Sequence, residues 1–264
     1  MKFKLHLKGF ISSSVFILER FLSKSLLSRS YTLFLALRTW GMQAGFSVSE
    51  RVVEYPFVLS NVEGKDKLIL DIGSRDSPLP YWLTCKGHRV CGIDVEFPLK
   101  NEKFQRVRSD ATQLPFTDKM FDYVTVVSTI EHIGLGAYLD PTLPEGDFRL
   151  MYEVDRVLKV GGEVILTTLG GKKPFEPHFK SSERLYDEPR IRQLIRGFAV
   201  ECRENFAKDS KGKWSKLMEA RSVQSEERYV ICIKLLKEKS SQIERCFGHS
   251  SAPSTVKGSM SERN

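Results

Sequence analysis

Leu68-Ile69-Leu70-Asp71-Ile72-Gly73-Ser74-Arg75-Asp76-Ser77 is the stretch whose reading decides the fold. An apolar run ends in a carboxylate, a tight turn follows, and a proline-flanked segment beyond it can form a helix. A carboxylate at the mouth of a strand attracts a sulfonium or an ammonium and repels a pyrophosphate. A nicotinamide dinucleotide would need G-x-G-x-x-G with open amides facing its phosphates, and only Gly73 is present.

The pattern continues downstream. Leu68–Ile72, Arg89–Ile93, Arg106–Arg108, Phe121–Ser128 and Glu163–Leu169 read as strands, alternating with helical stretches. One helical face carries Phe148, Met151, Val154 and Leu158, with Asp147 expected as its N-cap and Gly161-Gly162 as its stop. Alternation of this kind predicts parallel β-α-β units with functional loops at the carboxyl ends of the strands. Two further strands are expected at Phe198–Phe206 and Arg228–Leu236, joined by a polar segment through Trp214.

Acids recur at the strand ends. Asp94 closes the second strand, where a carboxylate can accept both hydroxyl hydrogens of a ribose. Asp110, after the third, can accept from an adenine amino group. Each aspartate alone would pass for a cap or turn former; three at successive strand ends point to one adenosine-bearing, cationic ligand.

Asp71-Ile72-Gly73-Ser74, Gly92-Ile93-Asp94, the run Asp110-Ala111-Thr112 to Phe121-Asp122, Ile130-Glu131-His132 and Arg156 to Gly162 resemble class I S-adenosylmethionine-dependent methyltransferases, in the subgroup similar to ubiquinone-biosynthesis enzymes. The resemblance covers Leu68 to Leu169 well and the chain up to residue 236 loosely. It implies a Rossmann-like, doubly wound, mostly parallel α/β sheet of seven strands, ending in a hairpin, with S-adenosyl-L-methionine as cofactor. Asp71 with the turn Gly73-Ser74 would hold the methionine part, Asp94 the ribose, and Asp110 with Ala111 the adenine. Ser128 would lie beside the methionine part or the transferred methyl. The chain departs from the family in carrying Arg75 and Ser77 where further glycines are usual. Arg75 could pair with the cofactor carboxylate, with Asp76 or with another surface acid.

Methyl transfer to a hydroxyl needs alignment and a base. His132 follows the fourth strand and is the catalytic candidate, weighed against a purely structural turn; His178 is a weaker one. Gly134 to Gly146 makes a long loop with Tyr138, expected as a lid or acceptor wall. Its sequence also resembles methyltransferases linked to surface-glycan assembly. Lys172, Lys173 and Lys180 lie in a second acceptor-side loop. The expected activity is methyl transfer to a small-molecule, sugar or lipid-linked acceptor, more readily at oxygen. The competing reading is a degenerate methyltransferase fold that docks a partner or a membrane without catalysis.

Composition frames this. The 264 residues are 41% hydrophobic and 28% charged, enough for one α/β domain with extensions. Three segments are expected: a basic helical extension over 1–64, a methyltransferase domain over 65–238 and a disordered tail over 239–264. Within the first, a loop is expected near Trp40–Val48 and an extended stretch at Val52–Pro56. The net charge of +8 is concentrated in residues 1–38, which hold seven Lys/Arg against Glu19 alone. That stretch suits peripheral contact with an anionic membrane, and no apolar run there reaches the roughly 20 residues a spanning helix needs. A nucleic-acid surface would need basic residues interleaved with aromatics on one face; the basic excess sits mainly in the N-terminal extension, which serves a membrane contact equally well, so nucleic acid is not the expected acceptor. Five cysteines without a C-x-x-C pair argue against zinc and disulfides and suggest the cytoplasm.

Overall fold

The computed structural model describes residues 49–96, 104–136, 142–171, 183–210, 212–218 and 228–238. The basic stretch 1–38, the Trp40–Val48 loop, Tyr138, Lys172, Lys173, His178, Lys180 and the tail from 239 lie outside them.

Eight strands form one sheet in the order β3-β2-β1-β4-β5-β8-β6-β7. They are β1 Leu68–Ile72, β2 Arg89–Asp94, β3 Gln105–Arg108, β4 Phe121–Val127, β5 Leu158–Gly170, β6 Phe198–Lys208, β7 Trp214–Lys216 and β8 Tyr229–Lys237. The first five are parallel, and β8, β6 and β7 close the sheet with antiparallel pairing. The expected count of seven is therefore corrected to eight. The addition is β7, three residues of the polar connection that fold back so that Trp214 pairs with Lys208.

Helices cover both faces. Helix α1 (Arg51–Asn61) and α2 (Leu79–Cys85) share one apolar core with Ile69, Tyr123, Val127 and Ile165. Helix α3 (Gly146–Val157) and α4 (Glu188–Leu194) share the other with Leu70, Val124, Val126 and Leu166. The proline-flanked segment after the turn does become helix, as α2, and begins at Leu79 after Pro78.

Three local expectations are corrected. Val52–Pro56 is helix within α1, not extended. Two β-branched residues and a proline weigh against helix, but burial of Val52, Val53, Tyr55, Phe57, Val58 and Leu59 outweighs that local preference. Asp147 does not cap α3; the N-cap position is Glu145, and Asp147 is buried in the first turn against Arg190 (2.8 Å) and the Tyr186 hydroxyl (3.1 Å). Gly161-Gly162 does not stop that helix either. It ends at Val157, β5 starts at the next residue, and the glycines fall in a register shift of β5 against β4.

Candidate functional site

The order β3-β2-β1-β4-β5 reverses direction at β1, so the crevice at the carboxyl ends of β1 and β4 is the topological switch point. The predicted residues all fall along this edge. Asp71 is in β1, Gly73-Ser74 form the turn after it, and Asp94 ends β2. Asp110-Ala111 follow β3, and Ser128 and His132 follow β4.

Gly73 has φ +80, and a Cβ there would stand 2.1 Å from Thr129 Oγ1, so glycine is required by backbone and neighbour alike. Thr129 Oγ1 in turn donates to the carbonyl oxygens of Ile72 (3.2 Å) and Val127 (3.0 Å), interlocking the turns after β1 and β4. The Gly73 and Ser74 amides both bond to the Ile93 carbonyl oxygen (2.9 and 3.1 Å), and the buried Ser74 hydroxyl donates to it too. Ser74 thus fastens the turn to β2.

Asp71 is 2% exposed and faces α1. Thr125 Oγ1 donates to its Oδ1 at 2.6 Å. Burial pushes its carboxyl up to about 7, against the pull of that hydrogen bond and of the Arg51 charge. Asp94 accepts the Arg75 amide (3.1 Å) and the Glu96 amide (3.3 Å), and burial shifts its carboxyl upward. Asp110 Oδ1 accepts from Thr112 N (2.8 Å) and Oγ1 (2.9 Å), a turn that orients the carboxylate beside buried Ala111. Arg75 lies 3.1 Å from Glu96 and 3.4 Å from Asp76.

Ser128 has φ +41, rare for a residue with a side chain. It is held there by its amide to Thr167 O and Oγ1 (both 3.1 Å) and by its hydroxyl donating to Glu54 Oε1 at 2.6 Å. His132 is half-buried in the turn beyond, its amide bonded to Thr129 O (2.9 Å). The following loop is pinched at its base: Gly134 has φ +77, a Cβ there would meet Leu143 O at 2.2 Å, and Leu143 N bonds Gly134 O. A Cβ on Gly146 would stand 3.0 Å from Gly134 Cα by the same measure, so these glycines permit close approach of the loop's two ends.

Sequence reasoning missed two buried carboxyls. Glu54 of α1 is fully buried and accepts from Arg51 (2.9 Å), Ser128 and Thr167 (2.7 Å). Glu131, 1% exposed, accepts from Thr168 Oγ1 (3.1 Å), and burial with the nearby Glu54 charge pushes it up to about 8. Thr167 and Thr168 are neighbours on β5 and point to opposite faces, so the two carboxyls flank the end of β4, one per face. The Glu131 motif was visible in the sequence. For Glu54 there was no signal, because its two hydroxyl partners lie 74 and 113 residues away.

These residues suit S-adenosylmethionine: a buried carboxyl poorly supplied with donors behind a glycine turn, and a carboxylate at the end of the neighbouring strand. Residues 99–236 match the family described as Caenorhabditis protein of unknown function, DUF268. A curated protein of Encephalitozoon cuniculi that carries a provisional methyltransferase name is 28% identical over 158 residues, which are 56% of this chain. The chain spans 63% of that relative's length. Among solved structures, phosphoethanolamine N-methyltransferase 2 of Haemonchus contortus, bound to S-adenosyl-L-methionine, has 18% identity and a TM-score of 0.52, over 71% of this chain and 53% of that one. The cyclase SpnF aligns with 14% identity and a TM-score of 0.52, over 79% of this chain and 94% of that one. The fold is that of S-adenosylmethionine-dependent methyltransferases, and it also serves a protein described as a cyclase; the reaction has to be argued from the site.

Proposed function

We propose that this chain, which belongs to the family described as Caenorhabditis protein of unknown function, DUF268, transfers a methyl group from S-adenosylmethionine to a hydroxyl of a small-molecule, sugar or lipid-linked acceptor. The observation that carries this is the pair Asp71 and Asp94, on the ends of adjacent strands around the Gly73 turn at the switch point.

When bound, S-adenosylmethionine supplies an electrophilic methyl group on a sulfonium. Asp71 favours the positive charge of the methionine part from behind the turn. Asp94 accepts from the ribose hydroxyls, and its two backbone amide bonds hold it for that task. Asp110 and Ala111 frame the adenine. Ser128 borders the methionine part through its backbone, since its hydroxyl is committed to Glu54. His132 takes the proton that the acceptor hydroxyl loses as the new C–O bond forms. The basic stretch 1–38 holds the protein against an anionic membrane face, which suits a lipid-linked acceptor.

The test is incubation of the protein with methyl-labelled cofactor and a cell extract, followed by identification of the labelled product. An O-methyl product is expected, with His132→Asn slowing kcat about 100-fold and leaving cofactor affinity unchanged. A product labelled at nitrogen or carbon, or full activity in His132→Asn, would overturn the oxygen and base assignments. No labelled product from any pool would favour the non-catalytic docking module.

A further inference from the structure

Helix α1 meets the carboxyl edge of the sheet at several points. Arg51 Nη1 donates to Val127 O at the end of β4 (3.3 Å) and pairs with Glu54 (2.9 Å). Tyr55 shares a side-chain hydrogen bond with Ser77, and Ser77 accepts the Leu79 amide at the start of α2. Glu54 Oε1 receives both Ser128 Oγ (2.6 Å) and Thr167 Oγ1 (2.7 Å). From Ser128 the contacts run to Thr129, whose hydroxyl bonds Ile72 O and fills the space a Cβ on Gly73 would need. A carboxylate of α1 is thus joined to the glycine turn by an unbroken chain of contacts. It holds one residue of that chain, Ser128, at a positive φ.

We propose that Glu54 is a positioning residue for the cofactor turn: it fixes the end of β4, and α1 thereby clamps Gly73–Ser77 from above β1 and β4. Glu54 is fully buried. It acts through the Ser128 conformation and the Thr129–Gly73 contact. The inference rests on the proposed use of S-adenosylmethionine, and the experiment keeps the two apart.

Titration calorimetry with S-adenosylhomocysteine is run on the wild type, Glu54→Ala and Glu54→Gln, with thermal unfolding of each. Hydrogen exchange is also measured on the ligand-free proteins. Glu54→Ala is expected to weaken binding about tenfold. It should speed amide exchange across the Gly73–Ser77 turn without speeding it in β8. Glu54→Gln keeps an oxygen that accepts both hydroxyls and should restore most of the affinity. Thr167→Val, buried on β5 and nearly isosteric, removes one of those donors; it carries the test if Glu54→Ala does not fold, with a several-fold loss expected. Wild-type affinity and unchanged turn exchange in folded Glu54→Ala or Thr167→Val would overturn the positioning role. So would an equal loss in Glu54→Ala and Glu54→Gln, because the ion pair to Arg51 would then matter instead of the hydroxyl bonds. Failure of the wild type to bind the ligand would instead count against the cofactor assignment, while the exchange comparison still decides the clamp.

Discussion

The two ends of β4 are built differently. At its amino end the carboxylates are supplied with cations. Asp122 pairs with Lys159 (2.7 Å) and accepts the Leu68 amide (2.8 Å). Arg156 grips Glu153 and Asp118 and also donates to the carbonyl oxygens of Leu114 (2.9 Å) and Phe116 (2.7 Å). At the carboxyl end, Asp71 and Glu131 each have one side-chain donor among the described residues, both are buried, and both are held toward their neutral forms. Arg51, whose charge pulls on both, is engaged by Glu54. One end spends its charges on closing the fold. The other leaves carboxyls short of positive charge where a cationic ligand would enter, an arrangement that costs stability and is typical of binding sites.

Arg156→Ala should produce the largest change in stability, a loss of about 3 kcal/mol, because it strands the half-buried Glu153 and frees the Leu114–Asp118 segment. Chemical denaturation checks it, and the folded fraction should bind cofactor as the wild type does. Weakened affinity in the folded variant would erase the contrast between the two ends.

Gly73→Ala attacks the other end. A positive φ and the Thr129 contact together should cost about 1–3 kcal/mol of stability. Affinity for S-adenosylhomocysteine should fall at least as steeply, read by calorimetry. Normal binding by this variant would show that the turn can shift without consequence.

A further expected effect is in pH dependence. Glu131 titrates near 4 in an unfolded chain and at about 8 here, so the folded protein holds its proton more tightly. The stabilisation from that protonated form is complete below about pH 4 and is lost as pH rises through about 8. Glu131→Gln should therefore lose less stability than the wild type between pH 5 and 9, a difference read by urea denaturation. Parallel pH profiles would mean that the buried carboxyl is solvated after all.

The parallel strands were legible because each is a short apolar run ending in a polar turn, and Gly73 was legible as the glycine of the first such turn. The acids at the ends of β1, β2 and β3 could be picked out for the same reason. Local signals misled where tertiary contacts decided. Val52, Val53 and Pro56 disfavour helix, yet the sheet face they bury against makes one. Asp147 has the chemistry of a cap and is used instead as the buried partner of Arg190 and Tyr186. Arg156, within a segment that carried the family resemblance, pins the loop before β4. Glu54 was invisible, since nothing within 20 residues of it announces Ser128 or Thr167.

The central claim is that the switch-point crevice binds S-adenosylmethionine. Titration calorimetry of the wild type with S-adenosylhomocysteine, alongside folded Asp94→Ala, tests it most directly. The account predicts one-to-one binding by the wild type and at least a tenfold loss in the variant, as expected when charged hydrogen bonds to ribose are removed. No heat of binding from the folded wild type, or equal binding by the two proteins, would contradict it.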